Sequence, residues 1–342
     1  MINSLVKSSK RTRGAPIQAE TIIRKMEENE DYAFKPDAIT YTSLIKCWSE
    51  SGRPKAASRA EEIIELLHER YNNGHKECKP DSTAYNVALN AIAKSGVRDS
   101  AERAEGESAV TQQSNAAVYI KLYLTFFICE ALLRRMKEEY DAGDIDLAPN
   151  TFSFSIVINA WSKSGHQDAG IHAEKHLDKM IELHESGLNG VAPNTVTYSS
   201  CIHAWSRSKH KDAGRRASKM LKRMDELDDK GYINIRPNIY SFTSAMEAWI
   251  NSGDPMLYTE ASVIFELLID RYKSGEIDAK PTTQTFNAMF RAISQGPSLE
   301  QAKYIKAEQL LNRMKKMHRT EGGPKPNIAT YNTVSFTFSI IW

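Results

Sequence analysis

The sequence predicts an all-α fold, a solenoid of stacked antiparallel helix-turn-helix repeats of about 44 residues. Three observations predict it. First, one phrase recurs: PNTVTYSSCIHAW from Pro193 returns as PDAITYTSLIKCW from Pro36, PNTFSFSIVINAW from Pro149 and PNIYSFTSAMEAW from Pro237. Variants start at Pro80 (PDSTAYNVALNAI), Pro281 (PTTQTFNAMFRAI) and Pro326 (PNIATYNTV). Second, these prolines are spaced by 44, 69, 44, 44, 44 and 45 residues. Third, each normal interval holds two helical patterns, and helices joined by short turns run antiparallel.

The first pattern of a repeat begins near its aromatic residue. Tyr198 and Trp205 lie seven residues apart, two helical turns, so both rings face one packing surface. Trp48, Trp161, Trp205 and Trp249 share their slot with Ile92 and Ile293, and that interchange predicts core. The pattern stops at Ser51-Gly52, Lys94-Ser95-Gly96, Lys163-Ser164-Gly165 and Asn251-Ser252-Gly253, as glycine ends helices. The second pattern is charged and amphipathic, as in AEEIIELLHERY from Ala60 and AEKHLDKMIELH from Ala173. A Gly-containing loop then leads to the next proline.

The chain thus divides into a partial repeat 1–35, repeats 36–79, 80–148, 149–192, 193–236, 237–280 and 281–325, and a partial repeat 326–334 of one solenoid. Two segments leave the period. The second interval is too long by 25 residues, and removing 106–130 restores it by joining AERAE to ALLRRMKEEYDAG. That segment lacks the charged pattern around it, and its apolar run from Val118 to Cys129 is shorter than the roughly 20 residues a bilayer needs. Gly106-Glu107-Ser108 can be encoded around a splice donor, so the segment reads as a translated intron, with a surface insertion as the alternative. The tail 335–342 is also out of pattern, and Val334-Ser335 can encode another donor. The basic, acid-free start through Arg13 has transit-peptide composition, yet Ala19-Glu20 aligns with Ala104-Glu105. The chain therefore reads as opening mid-repeat, a fragment of a longer protein.

Composition is that of an ordinary soluble chain, with 26% charged residues and a net charge of +2, which argues mildly against a polyanion partner. Cys47, Cys78, Cys129 and Cys201 share no ligand spacing and read as reduced thiols. The nine histidines form no metalloprotease motif, and the acids lie along second helices. No enzyme, cofactor, metal site or small-molecule substrate is expected.

Two positions per repeat point to binding. The residue after the aromatic is Thr42, Asn86, Ser155, Ser199, Thr243, Asn287 or Asn332, always small and hydrogen-bonding, although such residues are mediocre helix formers. A merely solvated position would admit Lys, Glu and Gln, and none occurs. The residue after the proline is Asp37, Asp81, Asn150, Asn194, Asn238, Thr282 or Asn327, for which helix capping is a sufficient reason. Taken together, the two rows could read one base edge per repeat.

In this Pro-Asp/Asn, Thr/Ser-Tyr/Phe-Asn/Ser/Thr and Ser-Gly phrasing the chain resembles the pentatricopeptide repeat family, in a long-repeat form similar to the RNA-binding region of protein-only ribonuclease P. The resemblance implies a right-handed superhelix, a mitochondrial or plastid location, single-stranded RNA as partner and contact with other RNA-processing proteins. It implies that the residue after the aromatic and the residue after the next proline choose a base jointly. Thr42 with Asp81 then resembles a guanine pair, and Ser155 with Asn194 and Ser199 with Asn238 resemble adenine pairs. Asn86 with Asn150 and Asn287 with Asn327 are pyrimidine-type, and Thr243 with Thr282 matches no standard pair. The implied target core is G-Y-A-A-N-Y, with Y a pyrimidine and N any base. By the same resemblance, Ile39, Thr83, Phe152, Val196, Tyr240 and Thr283 sandwich bases. Lys94, Lys163 and Arg207 end first helices in register, either as phosphate contacts or as cations at helix C-termini. The alternatives are a protein-binding scaffold of the tetratricopeptide kind and the RNA-binding arm of a ribonuclease; no membrane partner is expected.

Overall fold

A computed structural model describes the backbone at residues 2–9, 14–28, 35–53, 55–106, 112–232 and 234–339, and the side chains of 96–125 and 336–339 lie outside the described set. Among the described residues all regular structure is helical. The chain forms two compact units, the first comprising residues 1–164 and 179–192, the second 165–178 and 193–342.

The first unit holds α1 (Ile2–Ser8), α2 (Ala15–Glu28), α3 (Ala38–Ser51), α4 (Ala56–Asn72), α5 (Ser82–Gly106), α6 (Gln112–Asp141) and α7 (Thr151–Ser164). The next helix, α8 (Ala169–Glu185), is divided between the units at Asp178. The second unit continues with α9 (Thr195–Ser208), α10 (Ala213–Asp229), α11 (Ile239–Ser252) and α12 (Leu257–Lys273). It ends with α13 (Thr283–Gln295), α14 (Glu300–Glu321) and α15 (Ile328–Ser339).

One packing rule holds inside each unit. A first helix packs on its own second helix and on the next first helix, as α3 does on α4 and α5, and α11 on α12 and α13. Each second helix also touches the first helix that follows, as α4 touches α5 and α10 touches α11. This stacking by nearest neighbours is the α-solenoid that the 44-residue period predicts.

The recurring phrase explains each helix start. Asp37, Asn194, Asn238 and Thr282 have extended backbones and accept a hydrogen bond from the N–H three residues on, which satisfies one orphan donor of the first turn. The aromatics then enter the core: Tyr41, Tyr85, Tyr198, Phe242 and Phe286 are buried, as are the Trp and Ile residues seven positions later. A buried indole needs an acceptor for its N–H. Trp48 donates to Glu20, Trp161 to Glu130, Trp205 to Glu174 and Trp249 to Ser218. Each acceptor stands on the preceding second helix.

Helix ends follow the glycines in three of the four expected places. Gly52, Gly165 and Gly253 adopt φ of 61°, 65° and 68°, the left-handed backbone in which an L side chain is strained. Gly96 does not: α5 runs through it to Gly106. The sequence after Gly96 is rich in helix formers, and one interior glycine costs only about 1 kcal/mol, too little to stop such a helix. Lys209 takes the left-handed role in α9, with φ of 53°.

The 25-residue excess is accommodated by lengthening two helices, α5 to 25 residues and α6 to 30. The side chains of 106–125 are outside the described set. The last five residues of the segment occupy ordinary repeat positions. Cys129 and Glu130 fill the places of Ala173 and Glu174, and Phe126 packs on Trp161 with ring centroids 5.0 Å apart. Because Glu105 and Glu130 are the same residue type, the sequence cannot assign one edge of the segment uniquely. In the tail, α15 continues through Ser339, beyond the end of the recognisable repeat at Val334.

Candidate nucleic-acid interface

The residues after the boundary prolines are all engaged at helix starts. Asp81, Asn150 and Asn327 accept from the backbone N–H of Ala84, Ser153 and Thr330, as the four caps described above do from their own helices. The capping reading therefore accounts for the primary contact of the whole row.

Three of the residues after the aromatics reach the third residue of the next first helix. Ser153 Oγ donates to Asn86 Oδ1 at 2.7 Å. Thr330 Oγ1 donates to Asn287 Oδ1 at 3.0 Å. Thr243 and Thr285 share a hydrogen bond of 3.1 Å between their hydroxyls. Thr42 gives its proton back to Ala38 O at 2.7 Å; the third residue of the next first helix, Ala84, has no hydroxyl. Ser155 likewise donates to Thr151 O. Ser199 Oγ is buried without a hydrogen-bond partner among the described residues, and the third residue of the next first helix, Ser241, donates to Asn238 O.

The same hydroxyls touch the cap row. Ser153 Oγ lies 3.2 Å from Asn150 Oδ1, Thr285 Oγ1 3.1 Å from Thr282 Oγ1 and Thr330 Oγ1 3.0 Å from Asn327 Oδ1. In these three repeats both members of the base-selecting pair are thus joined through one buried Ser or Thr. Sequence reasoning passed over this third-residue row. The signal was there, since Thr40, Ser153, Thr197, Ser241, Thr285 and Thr330 fill it in every repeat but that of Ala84, a variant of the capping box.

Exposure along the row is uneven. Thr42, Ser155 and Asn287 are half-buried and Asn332 is exposed, but Asn86, Ser199 and Thr243 are only 7%, 3% and 6% exposed. The close approach of the third residue of the next first helix covers Asn86 and Thr243.

No protein-family model matches the chain. Curated relatives do. A pentatricopeptide repeat-containing protein of Arabidopsis thaliana is 23% identical over 174 residues, 49% of this chain and 28% of the relative. A second from that plant, named chloroplastic, is 31% identical over 133 residues, 37% of this chain and 16% of the relative. A third, named mitochondrial, is 26% identical over 162 residues, 40% of this chain and 38% of the relative. The repeats carry the family phrase and build the stacked helical hairpins. In both respects the chain is similar to pentatricopeptide repeat proteins. It spans well under half the length of each of these relatives.

Other pentatricopeptide positions fall as follows. Ile39, Thr83, Phe152, Val196 and Tyr240 are exposed on the first turn of their helices, three residues before the selector. Thr283 is not in that row: it is the first helical residue, and its Oγ1 lies 3.5 Å from Lys325 O. The equivalent Thr151 and Thr195 make the same kind of contact with Gly190 and Asn234. The register places the exposed Gln284 in the stacking row instead. Tyr240 stands 5.2 Å from the His203 ring, and burial with the nearby Glu247 carboxylate pushes its phenol pKa up, so it stays a proton donor.

The three in-register cations are exposed. Lys94 is already paired with Glu50 at 2.8 Å, which weakens its claim on a phosphate. Lys163 and Arg207 stand on their final turns, where they also complement the helix C-terminus. Among the described residues no cluster of three or more His, Cys, Asp or Glu could hold a metal ion. No helix among them is long and apolar enough to cross a membrane. All four cysteines are free and buried, and burial pushes the Cys129 thiol up to about 12.

Proposed function

We propose that this pentatricopeptide repeat chain binds single-stranded RNA and selects bases one repeat at a time, without catalysing a reaction. One observation carries the reading: Asn86, Thr243 and Asn287, small hydrogen-bonding selectors, each stand beside the capped entry of the next first helix, in a row no packing rule requires to be polar. Exposed Phe152, Val196 and Tyr240 offer flat or apolar surfaces for bases one turn earlier. The preferred core is G-Y-A-A-N-Y. Two relatives named chloroplastic and mitochondrial favour an organellar setting, in RNA processing, stability or translation.

The buried state of Asn86, Ser199 and Thr243 favours a second reading, in which the row joins neighbouring helices and the solenoid binds protein. For RNA to reach these three, consecutive first helices must part slightly. Selection from a randomised RNA pool at low salt separates the two readings. Enrichment of a G-Y-A-A-N-Y-like core supports base selection; a pool that stays random supports the scaffold.

A further inference from the structure

Within the base-selecting reading just proposed, one row of residues has no assigned role: the third residue of each first helix. We infer that this hydroxyl sets which hydrogen-bonding end the preceding selector presents to a base, and so acts as a positioning residue for specificity. The argument starts from proton counting. A carboxamide has an accepting end and a donating end, whereas a hydroxyl carries a single proton. Ser153 Oγ is 2.7 Å from Asn86 Oδ1 and 3.2 Å from Asn150 Oδ1, so its proton goes to Asn86. Its oxygen meanwhile accepts from Asn150 N.

With Oδ1 held in this way, the Asn86 NH2 is the end left for a ligand. Thr330 Oγ1 likewise accepts from Asn327 N, but it stands 3.0 Å from both Asn287 Oδ1 and Asn327 Oδ1, so its one proton is divided between the two amides. An NH2 can only donate, so the Asn86 repeat calls for an acceptor on the base edge. The O2 carbonyl shared by cytosine and uracil is such an acceptor. Ser153 and Thr330 are both fully buried, so water does not compete for the contact.

Two hydroxyl selectors behave differently from the amides: Thr42 and Ser155 turn their protons back to Ala38 O and Thr151 O, leaving only lone pairs for a base. Thr243 faces a hydroxyl and is held by it. What Asn86 and Thr243 present is therefore decided jointly with a residue one repeat away.

The test uses the full chain and a randomised RNA pool, reading base preference position by position for the unaltered protein, Ser153→Ala, Ser153→Thr and Asn86→Ser. Ser153→Ala should lower the pyrimidine preference at the Asn86 position by about fivefold, the worth of one orienting hydrogen bond, and leave other positions alone. Ser153→Thr should keep the preference. Should Asn86→Ser move the preference while Ser153→Ala leaves it unchanged, the positioning role is overturned and base selection stands. Should neither variant move it, base selection by Asn86 fails and the positioning role falls with it. If circular dichroism shows that Ser153→Ala does not fold, Thr330→Val, read at the Asn287 position, decides by the same outcomes.

Discussion

The indole of Trp249 lies against Gly214 so closely that a Cβ on that glycine would sit 2.3 Å from Trp249 Cδ2. Trp205 and Gly170 repeat the arrangement at the same distance. The glycine opens the second helix and the tryptophan closes the next first helix, so the contact sets how tightly neighbouring repeats stack. Gly214→Ala should destabilise the protein by about 1–3 kcal/mol through overpacking, seen as a lower denaturation midpoint. Adding Trp249→Ile, the residue type found in that slot at Ile92 and Ile293, should recover part of the loss. No recovery would show that the two side chains do not conflict.

Ser199→Asn tests the selector row where it is least satisfied. Ser199 Oγ is buried and unpartnered among the described residues, and a longer amide there comes within reach of the Ser241 hydroxyl. In RNA selection the preference at that one position should move from adenine toward pyrimidine. An unchanged base profile would contradict the pairing of Ser199 with Asn238.

Capping and base selection can be separated at Asn238, which caps α11 by accepting from Tyr240 N and Ser241 N. Asn238→Ala should cost about 1 kcal/mol of stability and weaken base preference together. Asn238→Asp keeps the cap, so thermal stability should hold while the preference moves. A base profile that does not respond to Asn238→Asp would leave this row with capping alone.

Lys209 holds a left-handed backbone, φ 53°, where Gly52, Gly165 and Gly253 stand in other repeats. Lys209→Gly should therefore stabilise the chain by about 1 kcal/mol, the relief of a Cβ crowded by the backbone. Equal or lower stability on urea denaturation would mean that the lysine side chain supplies a compensating contact.

Asp225 gives a pH signature. Burial pushes its carboxyl up to about 6 from the ordinary 3.8, with Arg271, 2.6 Å away, opposing the shift. Well below pH 3.8 both folded and unfolded states are protonated at this group. As pH rises from 4 to 6 the unfolded state loses the proton first, so the group's contribution to stability falls. In Asp225→Asn this fall should be absent, and the difference in stability between variant and parent should grow in the variant's favour from pH 4 to 6.5. A difference that is flat across that range would show that the carboxyl titrates alike in both states.

Much of the architecture was legible in the chain because every repeat must bury the same face against its neighbour. That demand writes itself into Pro193–Trp205 and its copies as a fixed phrase, with Tyr198 and Trp205 as core and Asn194 as cap. Gly96 shows the limit of local reading. Glycine is a stop only when the next segment has somewhere to fold back, and the lengthened α5 continues through it. Thr283 shows another limit, where a one-residue error in register moves a residue from the stacking row to the helix entrance.

The sequence by itself determined the period, the two helices per repeat, the buried aromatics and the row of small polar selectors, since all of these follow from regularities within about 44 residues. Only the tertiary structure decided what each selector touches. Asn86 and Ser153 are 67 residues apart in the chain and 2.7 Å apart in space. A hydrogen bond depends on distance and proton count between facing helices, and no spacing along one helix encodes either.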